Sequence, residues 1–304
     1  MRTKSLVATE QRNPRSTNLD LKPTREILRV INREDAHVAR AVRREIPKIA
    51  RAVDEIVARL RKGGRLFYVG AGTSGRLGVL DASEVPPTFG VRRTLVQGII
   101  AGGNRALTAS IEGAEDHPGN GARDLRARGL RAGDIVIGLA ASGSTPYVLG
   151  ALEFARKHGV YTIALTTNRA TPISRMADLA IAPVTGREVI AGSTRMKSGT
   201  AQKMVLNMIS TATMTRLGYI YDNWMIGVAK SNQKLCKRAV RNLGEATGAD
   251  RRTAERTLKQ ASGDLRVALV MLKSGLDASA AQRALAAHGG DVRKTLRDAS
   301  KHHV

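Results

Sequence analysis

Leu66-Phe-Tyr-Val-Gly-Ala-Gly-Thr-Ser-Gly75 is a short apolar run closed by glycines, and a helical stretch follows it from Arg76. An apolar run of four to eight residues bounded by glycine reads as a buried strand, and the change of period behind it reads as a strand-to-helix turn. The same plan recurs at Asp134-Ile-Val-Ile-Gly-Leu-Ala-Ala-Ser-Gly-Ser-Thr145, with a helix expected from Pro146 to His158. Residues 96–101, 160–166 and 179–183 read as further strands. Strands alternating with helices predict an α/β fold: a doubly wound, mostly parallel sheet with helices on both faces.

Outward from this centre, residues 1–23 carry Pro14 and Pro23 and little periodicity, and they read as an extended arm. From Thr24 a helical pattern begins, breaks around Arg33 to Asp35, and resumes with Val38, Val42, Ile46, Ile49, Val53, Ile56 and Leu60 on one face. This predicts an N-terminal helical hairpin. Long helices are expected over residues 195–217 and 225–243. After Gly248, runs of about ten residues are separated by Gly263-Asp264, Gly275-Leu-Asp277 and Gly289-Gly-Asp291, which predicts a small bundle of three or four helices. The expected organisation is an arm and hairpin over 1–62, a sheet domain over 63–244 and a small helical module over 245–304.

Composition narrows the function. A hydrophobic share of 42% suits a proper core. Cys236 is the one cysteine of the sequence, so no intrachain disulfide or thiolate cluster can form, and a reducing cytoplasm is the expected compartment. The first ten residues hold no apolar leader run, and no stretch of about 18 apolar residues predicts a spanning helix. The net charge of +24 is spread as +8, +7 and +9 over residues 1–62, 63–229 and 230–304. A nucleic-acid footprint is normally clustered and interleaved with stacking aromatics, which make up 3% here, so the basic surface reads as an attractor of anionic small molecules.

The loop at residues 70–75 matches G-x-G-x-x-G, yet a dinucleotide site also wants an acid at the end of the second strand, and Thr94-Leu-Val-Gln-Gly-Ile-Ile-Ala101 has none. Gly72, Thr73 and Ser74 suit a compact phosphate at a helix N-terminus instead. Ser142, Ser144 and Thr145 of the second loop repeat the composition. Two such loops at carboxyl ends of parallel strands predict a crevice for a phosphorylated ligand. Glu84, ahead of Pro86-Pro87, and the cluster Glu112-Gly-Ala-Glu-Asp116 could supply paired carboxylates for acid–base chemistry. The two prolines are expected to stop the helix that the first loop starts.

Residues 70–84, Ile99-Ile-Ala-Gly-Gly103, Glu112 to Asp116 and Gly192-Ser-Thr-Arg-Met-Lys-Ser-Gly-Thr-Ala-Gln-Lys203 closely resemble the N-acetylmuramic acid 6-phosphate etherase family, of the sugar isomerase (SIS) fold group. The resemblance runs in order from about Thr9 to near the C-terminus. It implies cleavage of the D-lactyl ether of N-acetylmuramate 6-phosphate by β-elimination and water addition, in recycling of peptidoglycan amino sugars. It further implies a homodimer, with neither metal nor organic cofactor, and a phosphorylated amino sugar as small-molecule partner. The family's catalytic glutamates fall on Glu84 as proton donor and Glu115 as base. Ser193, Thr194, Arg195 and Lys197 are candidates for phosphate or lactyl carboxylate. The family's second loop commonly reads Ala-Ser-Gly-Arg-Thr-Pro, and Ser144 stands here in place of the arginine. Readings that stay open at this point are a sugar-phosphate-binding regulator without chemistry, which needs neither glutamate, a sugar-phosphate isomerase, which releases no lactate, and a nucleic-acid-binding regulator.

Overall fold

A computed structural model describes residues 7–227 and 233–300. The leader reading over residues 1–10 therefore lies partly outside the described residues, as do residues 228–232 of the helix expected over 225–243. The chain divides into two compact units, residues 1–83 with 94–210, and residues 84–93 with 211–304.

The first unit opens with three short 3₁₀ turns, Ala8–Glu10, Pro14–Ser16 and Leu19–Leu21. Helices α1 (Thr24–Asp35), α2 (Val38–Arg44) and α3 (Ile46–Arg61) follow. Strand β1 (Leu66–Gly70) leads into α4 (Gly72–Phe89), and β2 (Val96–Ile100) comes next. Then come α5 (Pro118–Ala127), β3 (Ile135–Leu139), α6 (Pro146–Lys157), β4 (Tyr161–Leu165), α7 (Pro172–Met176), β5 (Leu179–Ile181) and α8 (Lys197–Arg216). The strands form one parallel sheet in the order β2-β1-β3-β4-β5. Leu66 stands opposite both Val96 and Ile135, and Gly70 opposite both Ile100 and Leu139.

The two central strands are buried along their whole length because helices cover both faces, which is why they read as continuous apolar runs without alternation. On one face Phe67, Val69, Val136 and Ala164 pack with Leu125 of α5 and with Val148 and Leu152 of α6. α3 turns Ile49, Ala52, Val53 and Ile56 inward. The expected second helix of the hairpin is broken between α2 and α3, where Pro47 occupies the first turn of α3.

The arm is not extended. Its 3₁₀ turns are held by side chains: Asn13 Nδ2 donates to Glu34 Oε2 at 2.9 Å and to the Arg187 carbonyl at 3.2 Å, and Ser16 Oγ donates to the Val189 carbonyl at 2.7 Å. Aperiodic polar sequence can be ordered in this way, through hydrogen bonds that local hydropathy does not register.

Pro86 and Pro87 do not stop α4, which runs through both to Phe89. Two prolines in the last turn forgo two ladder bonds, and the helix is ended instead by Gly90, whose φ is +65° and whose amide donates to the Pro86 carbonyl at 2.8 Å.

The second unit contains the ends of α4 and α8, a two-stranded antiparallel pair, β6 (Ile220–Tyr221) and β7 (Trp224–Met225), and helices α9 (Gln233–Thr247), α10 (Arg251–Gln260), α11 (Leu265–Ser274), α12 (Ala278–Ala287) and α13 (Val292–Ala299). Asp250, Asp264, Asp277 and Asp291 each cap the N-terminus of one short helix through the carboxylate. Leu243, Ala254, Ala268, Leu269, Leu285 and Val292 form its core. Cys236 is exposed on α9.

Candidate active site

The strand order reverses between β1 and β3: from β1 the chain goes outward to β2, then returns to the other side of β1 for β3. In open α/β sheets such a switch point leaves a crevice at the carboxyl ends of the two strands. The 70–75 loop leaves β1 there and the 140–145 loop leaves β3 beside it, so the sheet register alone sets the two loops next to each other.

The first loop is tight. A Cβ on Gly75 would lie 2.7 Å from both the Gly70 carbonyl oxygen and Ile100 Cγ1, so only glycine lets the helix start so close to the strand. The Gly75 amide bonds back to the Ala71 carbonyl at 3.0 Å. The amides of Gly72, Thr73 and Ser74 precede it, in the first turn, where no intrahelical acceptor exists. Thr73 is half-buried, and the buried Ser74 Oγ donates to Gln202 Oε1 of α8 at 2.8 Å.

The second loop is pinned from below. The Ala141 carbonyl accepts from the Thr167 amide and from Thr166 Oγ1, Thr167 Oγ1 and Asn168 Nδ2, all between 3.0 and 3.1 Å. Gly143 has φ +76° and its missing Cβ would lie 2.3 Å from Thr171 Cβ. Above it, the Ser144 amide and hydroxyl both donate to Ser142 Oγ at 3.3 Å. Thr145 is the N-cap residue of α6, yet its side chain makes no cap bond.

Glu115 is exposed beside this loop. Its carbonyl accepts the Tyr147 amide at 3.0 Å, tying its turn to the start of α6. α5 and α6 approach closely through Gly121 and Gly150, whose Cβ positions would fall 2.1 Å from the Tyr147 oxygen and 2.0 Å from the Pro118 oxygen. Tyr147 Oη donates to Asp124 Oδ2 at 2.8 Å, and burial, followed by that carboxylate, pushes the phenol far above its ordinary value. The turn bearing Glu115 is thus fixed on rigid elements.

Glu84 is exposed on α4 and belongs to the second unit. It stands on the helix that the first loop opens.

The remaining candidates lie at the start of α8. Arg195 is exposed, and Ser193 and Thr194 are half-buried. Lys197 is fully buried, and its Nζ donates to Glu34 Oε2 at 2.6 Å. Arg15 and Asn13 also donate to the Glu34 carboxylate. Burial alone would push that carboxyl up, but the hydrogen bonds from Arg15, Lys197 and Asn13 hold it at about 2. The first amides of α8 are occupied as well. Glu188, also fully buried, accepts from Lys197 N at 3.0 Å and Ser198 N at 2.9 Å, while the Gly199 and Thr200 amides bond to the Thr194 and Met196 carbonyls. This helix start, unlike that of α4, is closed by the protein's own carboxylate.

Glu34, Glu188 and Gln202 were missed by sequence reasoning. Gln202 stood inside a quoted motif with no role, whereas Glu34 and Glu188 carry no local signal, since each acts on a residue remote in sequence or across a loop. Among the described residues no cluster of three or more His, Cys, Asp or Glu side chains could hold a metal ion, and no helix is long and apolar enough to cross a membrane.

Residues 48–156 match the family described as glucokinase regulatory protein N-terminal SIS domain, and residues 117–212 match the SIS domain. The chain is 53% identical to an N-acetylmuramic acid 6-phosphate etherase of Salmonella dublin over 290 residues, 95% of this chain and 98% of that one. It is 53% identical to the protein of the same name from Cronobacter sakazakii, over 96% and 98% of the two chains. With the one from Mesorhizobium japonicum it shares 51% identity over 96% and 95%. Among solved structures it is similar to phosphoheptose isomerase GmhA from Neisseria gonorrhoeae, with a TM-score of 0.49 and 17% identity over 64% of this chain and 100% of that one.

Proposed function

The chain belongs to the N-acetylmuramic acid 6-phosphate etherase family, and from that premise we propose that its two loops hold the substrate's 6-phosphate while Glu115 and Glu84 carry out the chemistry. It is a carbon–oxygen lyase that converts N-acetylmuramate 6-phosphate to N-acetylglucosamine 6-phosphate and D-lactate, a step of peptidoglycan amino-sugar recycling. The observation that carries the site assignment is the pairing of two Ser/Thr-bearing loops at the switch point, with Glu115 tethered through its own carbonyl to the helix the second loop opens.

Opening of the sugar ring exposes an aldehyde at C1, which acidifies the C2 proton. The Glu115 carboxylate takes that proton, the electron pair forms the C2=C3 double bond, and the C3–O bond breaks. Glu84, protonated, gives its proton to the departing lactyl oxygen. Water then adds across the alkene, hydroxide to C3 and a proton to C2, and both glutamates regain their starting states. Acid and base must differ in protonation at one pH, which different environments can arrange.

Phosphate contacts fall to the first-turn amides of α4 with Thr73, and to Ser142, Ser144 and Thr145. Arg195 is the exposed cation available to the lactyl carboxylate, being able to bind it through two parallel hydrogen bonds. Lys197, with its ammonium committed to Glu34, is left a structural role. The protein acts as a homodimer in the cytoplasm.

The test is release of D-lactate, read with a coupled dehydrogenase. Glu84→Gln and Glu115→Gln should each lower kcat by about 10²–10⁴-fold. Glu84→Gln should still exchange the C2 proton with deuterated water, and Glu115→Gln should not. Wild-type lactate release by either variant would remove that residue from the mechanism.

A further inference from the structure

Gln202 sits on α8 with 1% of its surface exposed, and its side chain meets the first loop at one point, Ser74 Oγ. Ser74 donates its hydroxyl proton to Gln202 Oε1 at 2.8 Å, while Gln202 Nε2 is buried with no hydrogen-bond partner. This is an uneconomical arrangement for an amide. A buried N–H donor without an acceptor is costly, and a rotation of 180° about the terminal bond would turn Nε2 toward Ser74 in nearly the same space. The pairing also has a consequence for ligand binding: a serine that gives its single proton to Gln202 has none left for a phosphate oxygen, which can only accept.

We propose that Gln202 is a positioning residue whose amide turns over when the phosphate binds, so that Nε2 donates to Ser74 Oγ and Ser74 is obliged to donate its proton to the phosphate. In the unliganded chain the hydroxyl points inward. In the liganded chain its oxygen accepts from Gln202 Nε2 and its proton faces outward, while Oε1 takes the unpartnered position that Nε2 leaves, a smaller loss than an unpaired N–H. Ser74 thereby gains a fixed direction, which a hydroxyl rotor lacks when nothing donates to its oxygen. The anchor is rigid, since Ala201, Val205 and Leu206, the neighbours of Gln202 on α8, are fully buried. Gly199, one turn earlier, has its Cβ position 3.4 Å from Thr73 Cγ2, so α8 rests against the loop along this turn.

This inference rests on the reading that the first loop holds the 6-phosphate, and three variants separate the two. Steady-state kinetics on the full chain would be read with N-acetylmuramate 6-phosphate as substrate and inorganic phosphate as competitive inhibitor. Ser74→Ala should raise KM and the phosphate inhibition constant by about tenfold, the worth of one hydrogen bond to a charged group at its lower end. Gln202→Met, similar in size and without an amide, should raise both by about threefold to tenfold, with kcat changed less than twofold, because uniform binding is what it loses. Gln202→Glu presents only acceptors when ionised, so it should raise KM further at pH 8, and its KM relative to the wild type should fall as acidic pH returns a proton to it. A role confined to packing would leave that ratio flat with pH. Thermal midpoints of each variant confirm that the chain is folded; if Gln202→Glu fails to fold, Gln202→Met still decides. An unchanged KM and phosphate inhibition in Ser74→Ala would overturn both readings. A raised KM in Ser74→Ala with wild-type values in Gln202→Met would overturn the role of Gln202 alone.

Discussion

Replacing Lys197 by methionine removes a charge and keeps most of the volume. The ammonium is 2.6 Å from Glu34 Oε2, and the two side chains are 0% and 2% exposed. The carboxylate keeps two other donors, Asn13 at 2.9 Å and Arg15, but the Arg15 side chain is 64% exposed and solvent weakens its grip. Breaking a buried pair by removing one partner costs about 3–5 kcal/mol, because the remaining charge is left in a medium that solvates it poorly. With two donors retained, about 3 kcal/mol is the expected loss. For a body of about 200 residues each kcal/mol lowers the midpoint by ~2–4 °C, so Lys197→Met should melt about 6–12 °C below the wild type. Adding Glu34→Gln should restore part of that loss, since a neutral pair carries no stranded charge. Calorimetry of the single and double variants, with the substrate KM measured alongside, decides the matter. A melting point within 1–2 °C of the wild type together with a tenfold rise in KM would refute the buried-pair reasoning and make Lys197 a ligand.

The Glu34 carboxyl is depressed from an ordinary 4.5 to about 2, so the stability it contributes is fully present above about pH 4.5 and is lost as pH falls from there toward about 2. Urea titrations over that window should show the wild type losing about 3 kcal/mol more than Glu34→Gln does. Glu188→Ala strands the Lys197 and Ser198 amides inside the protein and should cost about 2–3 kcal/mol, read as a lower urea midpoint at unchanged slope. Gly143→Ala puts a methyl group 2.3 Å from Thr171 Cβ at a φ of +76°, so it should cost at least ~2 kcal/mol and raise KM by displacing the second loop. A stable Gly143→Ala enzyme with ordinary KM would show that the loop relaxes freely.

The sheet was legible because its strands are buried on both faces, and such strands announce themselves as unbroken apolar runs. Leu66 to Gly70 and Ile135 to Leu139 were found within a residue on that ground. The turns after β1 and β3 were legible because glycine positions at a strand-to-helix turn answer to local sterics. The end of α4 was misread because proline speaks only about its own amide and its neighbours, and two missing ladder bonds in a last turn are tolerable where a following glycine can close the helix. The arm was misread for a different reason: polar residues without periodicity look unstructured until the acceptors they reach, here across the unit, are known.

The sequence by itself determined the layered α/β arrangement and the two glycine-bearing strand-to-helix turns after β1 and β3, because each depends on residues close together in the chain. Only the tertiary structure decided which polar residues of the Gly192–Lys203 motif face outward. Arg195 and Lys197 look alike two positions apart, yet one is exposed and the other is enclosed with Glu34, 163 positions away. The amides that follow are closed by Glu188, and Gln202 is turned toward Ser74. Whether a charge is a ligand or an interior tie depends on what surrounds it, and those surroundings are assembled from segments that meet only when the chain folds.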